Sequence, residues 1–181
     1  MICTKLAQNI DNCSATPQRG WEEEAYIFDI EGMTLTKSGN IITDMAAIGS
    51  NKVYKVKING LQPYTGTMIE GAQQLAAMLF NGTASLIVLG NGPTQATIIN
   101  GLANGRYGII LKQKGVTDNS RFMVIGSEVG AKLATATFES YSEARGWTVT
   151  MTEELAINAA TFLYKTNVTT TQSLIDSLLP A

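Results

Sequence analysis

The sequence predicts a mainly β protein, an antiparallel β-sandwich or barrel of about seven to nine strands with one principal packed α-helix. Short runs of apolar residues alternate with polar ones, as in half-buried strands. Turn sequences separate these runs at intervals of roughly 8–12 residues, which is typical of antiparallel sandwiches. Only one mid-chain segment has a capped helical period. Of 181 residues, 45% are hydrophobic, enough for a folded core.

By composition the chain divides into an arm, a core and a tail. Residues 1–24 are polar and broken by Pro17, so we predict an N-terminal arm that ends at Glu22-Glu23-Glu24. Its scattered apolar residues leave two alternatives open, a loose terminus or an arm that docks on a neighbouring subunit. Those residues are Ile2, Leu6, Ile10 and Trp21. Residues 25–170 form the predicted β-rich core domain, and residues 171–181 form a C-terminal tail with a short helix.

The first strands of the core are predicted over 25–36, where Gly32 separates two apolar runs. Residues 41–48 fit either a strand or a short helix. Residues 52–59 alternate strictly, with Tyr54, Val56 and Ile58 on one side and Lys55, Lys57 and Asn59 on the other. Period two with a basic outer face predicts an exposed antiparallel strand.

The principal helix is predicted over 68–80. Thr67 and Glu70 have the spacing of a capping box, and Asn81-Gly82 supplies a C-terminal stop. Met68, Ala72, Leu75 and Leu79 form one apolar stripe at helical spacing. A single stripe of this kind indicates a helix packed on a sheet.

The second half of the core reads as strands. Residues 86–89 and 96–99 flank Gly90-Asn91-Gly92-Pro93 and are predicted to form a hairpin. Further strands are predicted at 106–112, 122–125, 133–141, 147–152 and 162–164. In the tail, residues 171–179 carry a helical apolar stripe, which we interpret as a terminal helix folded on its own core. A hook on a partner is the alternative.

Composition excludes several kinds of function. The chain has no His, so a Ser-His-Asp triad and a His metal site are impossible. The two cysteines, Cys3 and Cys13, are too few for a four-ligand zinc site. We expect free thiols in a cytoplasmic protein, with a disulfide between the two as the alternative. No apolar run approaches the ~20 residues of a membrane span. We therefore expect no enzyme, no catalytic, cofactor-binding or metal-binding residue, and no membrane partner.

The charge is unusually low. Charged residues make up 15% of the chain and the net charge is -2, whereas an average soluble domain has about 25% charged residues. Thr, Asn, Ser and Gly replace the missing charge, and such a surface is typical of a protein with close neighbours.

Three polar features of the sequence could form a binding site. Glu22-Glu23-Glu24 could hold a hard cation, but a solvated acidic run is favoured. The glycine-rich stretches 90–93 and 126–130 lack a phosphate-loop pattern and are interpreted as turns. Basic residues on two predicted strands could line a surface that passes DNA, although charges that prevent edge-to-edge aggregation are favoured. They are Lys52, Lys55, Lys57, Lys112 and Lys114.

In order and style, residues 25–165 resemble tailed-phage virion structural proteins, most of all the major tail or tail tube proteins. The resemblance depends on the segments 53–60, 68–80, 104–112, 121–130 and 146–153. It implies a tail-tube-like fold in hexameric rings, with sheets joined around a channel, the helix outside the sheet, and N-terminal arms and loops bound to the next ring.

The function expected from this resemblance is non-enzymatic self-assembly into rings stacked as a tail tube, a conduit that DNA passes without specific binding. The partners would be further copies of the chain and other virion proteins, and the location would be the virion after synthesis in the host cytoplasm. A capsid decoration protein or a head-tail connector is the first alternative. A ligand-binding β-barrel, which could enclose an apolar cavity, is the second.

Overall fold

The computed structural model describes residues 20–57, 64–74, 77–138 and 146–180. These residues form eleven strands and two helices. The strands are β1 (Trp21–Asp29), β2 (Met33–Ser38), β3 (Ile41–Ala47), β4 (Val53–Lys57), β5 (Tyr64–Gln74), β6 (Ala77–Leu89), β7 (Tyr107–Gln113), β8 (Phe122–Ile125), β9 (Lys132–Phe138), β10 (Gly146–Ala156) and β11 (Thr161–Leu163). The helices are α1 (Pro93–Asn104) and α2 (Val168–Ser177).

The strands form two sheets, and the predicted mainly β, sandwich-like class is confirmed. Sheet A has seven strands in the order β2-β3-β11-β8-β7-β1-β4. Sheet B has four strands in the order β5-β6-β10-β9. The strand pairs are antiparallel, except that β11 runs parallel to β3. The strand count exceeds the expected seven to nine in part because residues 41–47 form a strand and because the segment predicted as a helix folds into β5 and β6.

The central strands of sheet A are buried on both faces. This explains why β1, β7 and β8 contain continuous apolar runs where a half-exposed strand would alternate. The inner face packs on sheet B through a cluster that includes Ile27, Ile109 and Leu111 of sheet A and Val149 and Met151 of sheet B. The predicted apolar side of 147–152 is thereby confirmed.

Helix α2 covers the opposite face of sheet A. Its Ile175 is fully buried among Tyr26, Phe28 and Ile110. The interpretation of the tail as a helix on its own core is confirmed. The helix begins at Val168, earlier than expected, because the side chain of Asn167 accepts a hydrogen bond from the Thr170 amide at 2.8 Å and caps it.

The helix predicted over 68–80 is wrong. This segment forms most of β5 and the start of β6, which pair from Tyr64 opposite Leu86 to Gln74 opposite Ala77. Strand β6 is also paired with β10 on its other side. This two-sided ladder outweighs the local capping pattern, and Met68, expected on the packed face, is 51% exposed.

The hairpin predicted around 90–93 is also wrong, because its second arm is part of α1. Pro93 is the first residue of this helix, where its missing amide costs no hydrogen bond. The Gly92 amide donates to Oε1 of Gln95 at 3.1 Å. Ile99 and Leu102, three residues apart on the helix, are buried against the core between the sheets. The β-branched run Thr97-Ile98-Ile99 had indicated a strand.

The other predicted strands are observed within the described residues, whereas 58–59 and 139–141, the predicted ends of two of them, lie outside those residues. Residues 41–48, left open between strand and helix, form β3. Strand β1 starts at Trp21, so Glu22-Glu23-Glu24 belongs to sheet A and does not form the end of an arm, contrary to the prediction. Residues 1–19, with Cys3 and Cys13, lie outside the described residues.

Candidate functional site

Of the five lysines predicted on two separate strand faces, three lie on one face of sheet A: Lys55, Lys57 and Lys112. Strands β4 and β7 flank β1, whose glutamates stand between their cations. Glu24 Oε1 lies 3.2 Å from Lys55 Nζ and 3.5 Å from Lys57 Nζ. Glu22 pairs with Lys112 at 3.1 Å and also with Arg121. We call these six residues the charge ladder.

The charge ladder is joined to helix α2 through Tyr26. The Tyr26 hydroxyl donates to Glu24 Oε2 at 3.1 Å and accepts from Gln172 Nε2 at 3.0 Å. Burial raises the pKa of Tyr26, so the hydroxyl keeps its proton. For Glu24, burial opposes ionisation, but the hydrogen bond and the charge of Lys55 outweigh it and hold the pKa below its usual value. The carboxylate is therefore ionised and neutralised in place.

The ladder changes both interpretations of the basic residues. Lys55 and Lys57 lie on the edge strand β4, where charged side chains hinder edge-to-edge pairing. Lys112 lies on β7, between β8 and β1, and so protects no edge. The acidic run is neither fully solvated nor a cation site, because Glu22 and Glu24 pair with side chains of the protein. Only Glu23 is exposed. Lys52 and Lys114 form no ion pair with the described residues.

The glycine-rich loop 126–130 surrounds a carboxylate of the protein itself. Glu153, 5% exposed, accepts hydrogen bonds from the amides of Gly126 at 2.7 Å, Glu128 at 2.9 Å and Val129 at 3.0 Å. Such convergent amides make an anion site. Here Glu153 occupies the site, which agrees with the prediction that the loop is a turn. Nothing in the sequence indicated that the loop binds a buried carboxylate.

The second glycine-rich stretch, 90–93, lies between a strand and a helix, contrary to expectation. It joins β6 to α1. Its Gly92 amide is already bound to Gln95 Oε1, and the stretch has no phosphate-loop lysine. The stretch 90–93 therefore forms the N-terminal cap of α1.

An apolar groove of about 720 Å³ opens between β4, the end of β6 and helix α1. Its walls include Ile27, Val56, Ile87 and Leu102. Three exposed apolar side chains border it: Tyr54 at 58%, Leu89 at 43% and Ile98 at 46%. Exposed large apolar side chains that converge on one concavity are typical of a binding surface. Sequence reasoning missed this groove because α1, which forms one wall, was predicted as a strand.

Polar groups are sparse along the groove. Asp29, Asn51 and Lys52 line it near the start of β4. Burial raises the pKa of Tyr107, and the Asp29 carboxylate adds to the effect. The Tyr107 hydroxyl donates to the Gly101 carbonyl at 2.9 Å, which fixes the end of α1 to the sheet. The groove thus offers mainly apolar contact, with Asp29 and Lys52 at one end and Lys55 and Lys57 along β4.

Among the described residues, no group of three or more Cys, Asp or Glu side chains is arranged to hold a metal ion. Neither described helix is long and apolar enough to cross a membrane. Comparisons of the chain with protein-family models, with curated proteins and with solved structures give no match.

Proposed function

We propose that this chain is a non-enzymatic structural protein that assembles with copies of itself. The exposed apolar side chains that border the groove support this proposal most directly. A further group of exposed apolar residues lies elsewhere on the surface, at Val129, Leu155 and Ile157. Surfaces of this kind, on a chain with 15% charged residues, favour a protein that is covered by neighbours in its working state.

Within this class, the proposal is a virion protein of a tailed phage that forms rings stacked as a tail tube. Among the described strands, β2 is an outer strand of sheet A and β5 and β9 are the outer strands of sheet B, and the proposal uses these three edges for pairing between subunits. The charge ladder limits adhesion to DNA without abolishing it, because its four cations are paired but share only two carboxylates. A capsid decoration protein or a head-tail connector would use the same surfaces.

The test is the size of the purified protein. Sedimentation and electron microscopy over a wide concentration range should reveal rings or tubes, and the protein should be present in purified phage particles. A protein that stays monomeric at high concentration and is absent from particles would contradict the proposal. Deletion of residues 1–19, which precede β1, should leave the fold intact and weaken assembly if the arm binds a neighbour.

A ligand-binding protein is the second candidate, and the groove is the observation that favours it. Its volume lies within the ~300–1,000 Å³ of typical small-molecule sites, and its walls are largely apolar. Titration of the monomer with an apolar fluorescent dye tests this function. Saturable one-to-one binding that is lost in Ile98→Asp, in a protein that never assembles, would favour the ligand-binding protein over the structural one.

A further inference from the structure

A short connection, residues 164–167, leads from β11 of sheet A to helix α2. The Asn167 amide donates to the Lys165 carbonyl at 2.7 Å, which closes a three-residue turn around Thr166. Thr166 has φ = 68°. A turn of this kind with a positive φ at its centre is rare and strained, and a β-branched residue is especially disfavoured there. The connection is therefore under strain while α2 covers its own sheet.

The strain at Thr166 has no evident compensation. The residue is exposed, so packing of its side chain does not offset the strained backbone. Glycine takes a positive φ without this cost, and the turns at Gly39, Gly49 and Gly115 use it. Strained backbone that the fold does not require is typical of segments that change conformation. The position of Thr166 between a sheet and a helix indicates a hinge.

The contacts of α2 with sheet A do not depend on this connection. Ile175 is fully buried in the apolar cluster on the outer face of the sheet. Gln172 Nε2 donates to Tyr26 Oη at 3.0 Å, and the Val53 amide donates to the Leu178 carbonyl at 3.0 Å. The helix of one copy would make the same contacts on the sheet of another.

Opening of the connection breaks few contacts. Among the described residues, two hydrogen bonds cross it: the one that closes the turn, and one from the Lys165 amide to Thr171 Oγ1 at 2.9 Å. The cap of α2, from the Thr170 amide to Asn167 Oδ1, moves with the helix. The ion pair of Lys165 with Asp44 stays with the sheet. Four extended residues, at up to ~3.3 Å each, then carry the helix about 13 Å from β11.

We infer that residues 164–167 are a hinge through which α2 of one copy of this chain exchanges onto sheet A of a second copy; this inference rests on the proposed self-assembly. A second copy is the partner that fits, because each chain already contains both sides of the contact. Exchange keeps the contacts of α2 with the sheet and relieves the strain at Thr166, and short strained hinges favour such exchange. Exchange that continues from copy to copy links many subunits.

Cysteine cross-linking of full-length chains detects the exchange. In a Cys3→Ser/Cys13→Ser background, one variant carries Val53→Cys and the other carries Leu178→Cys. The backbones at these two positions share the hydrogen bond of 3.0 Å, which brings their Cα atoms within the usual span of a disulfide. Oxidation of the mixture with glutathione disulfide should link the two variants where α2 of one lies on β4 of the other. Leu178→Cys mixed with Met68→Cys, at a 51% exposed position of β5, is the control for chance collisions.

Substitutions at Thr166 should shift the exchange in both directions without altering the contact between α2 and the sheet. Thr166→Gly relieves the strain of the closed turn and should lower the equilibrium constant for exchange at least about tenfold, measured from cross-linked yield over a concentration series. Thr166→Pro fixes φ at about −65°, which the closed turn does not accept, and should raise the constant. Leu155→Gly relieves a similar strain at φ = 62° outside the hinge and should leave the yield unchanged.

The outcomes separate the hinge from self-assembly. If the wild type sediments as an assembly but the cross-linked yield does not exceed that of the Met68→Cys control, the inference is overturned while self-assembly stands. Equal yields in Thr166→Gly and Thr166→Pro also overturn it. A wild type that stays monomeric and forms no cross-link overturns both. Circular dichroism checks the fold of each variant, and if Thr166→Pro unfolds, the comparison of Thr166→Gly with wild type decides.

Discussion

Glu153 and Glu24 are both carboxylates held by the fold, and they stabilise it in different ways. Glu153 is 5% exposed and bound by three backbone amides of one loop. The Glu24 side chain is 21% exposed and bound by two lysines and a tyrosine. The amides around Glu153 belong to the backbone of one loop, so their hydrogen bonds fix its path. The lysine side chains around Glu24 can turn toward water instead, so this carboxylate chiefly reduces the surface charge.

The largest expected effect comes from the loop around Glu153. Gly126 has φ = 83°, and a Cβ there would lie 2.8 Å from the Ala131 amide nitrogen and closer still to the Tyr107 carbonyl oxygen. Gly126→Ala should therefore lower the free energy of unfolding by about 3 kcal/mol or more, measured by chemical denaturation. Gly39→Ala is the control, with φ = 60° and open space for a Cβ, and should cost only the strain of about 1 kcal/mol. Equal losses in the two variants would argue against close packing of the loop.

Removal of the buried carboxylate should cost somewhat less. Glu153→Ala leaves three amides without their acceptor, offset in part by the desolvation of a buried charge. We expect a loss of about 2–3 kcal/mol in the free energy of unfolding. Glu154→Ala changes the neighbouring exposed residue and should stay within about 0.5 kcal/mol of wild type. If the Glu153→Ala protein were as stable as this control, the conformation of the loop 126–130 would not depend on the carboxylate.

The charge ladder should contribute far less. Glu24→Gln breaks two partly exposed ion pairs, which are worth below about 1 kcal/mol and weaken with added salt. Denaturation in low and high salt should reveal a difference between wild type and variant that shrinks as salt rises. Glu23→Gln, at the exposed position between the two ladder glutamates, should show no such dependence.

The smallest expected effect is the dependence of this contribution on pH. The folded pKa of Glu24 lies below its ordinary value, so the folded state binds the proton less tightly than the unfolded state. Its contribution is therefore fully present above the ordinary pKa of a glutamate and is lost as the pH falls through the folded value. Between pH 7 and pH 3, wild type should lose slightly more stability than Glu24→Gln. Parallel curves would contradict the lowered pKa.

Sequence patterns predicted most of the strands, but of the two helices they predicted only α2. Strands β7, β8 and β10 were found because their apolar runs and alternation are local properties. The segment 68–80 was assigned to a helix because its capping pattern is also local, whereas its pairing with β6 depends on residues far along the chain. Gly71 fits this pairing, since a Cβ there would lie 3.1 Å from the Phe80 ring.

The candidate surfaces could not be predicted for the same reason. The groove needs α1 beside β4 and β6, and these elements meet only in the folded molecule. The carboxylate of Glu153 and the loop at 126–130 are more than twenty residues apart, and no spacing rule joins them. The charge ladder was predicted in part, because the alternation along 52–59 places Lys55 and Lys57 on one strand face. Its glutamates were not predicted, because residues 22–24 were placed in the N-terminal arm.

Helix α2 also imposes an order in time. A ribosome makes all the strands of sheet A before it makes Val168, so the outer face of this sheet, with Tyr26, Phe28 and Ile110, lacks the cover of α2 until translation has passed this helix. The Val53 amide, at the start of edge strand β4, finds its acceptor only when the Leu178 carbonyl arrives, 3.0 Å away. The native sheet is therefore completed only after these residues leave the ribosome. A nascent chain stalled before this point would be a substrate for chaperones.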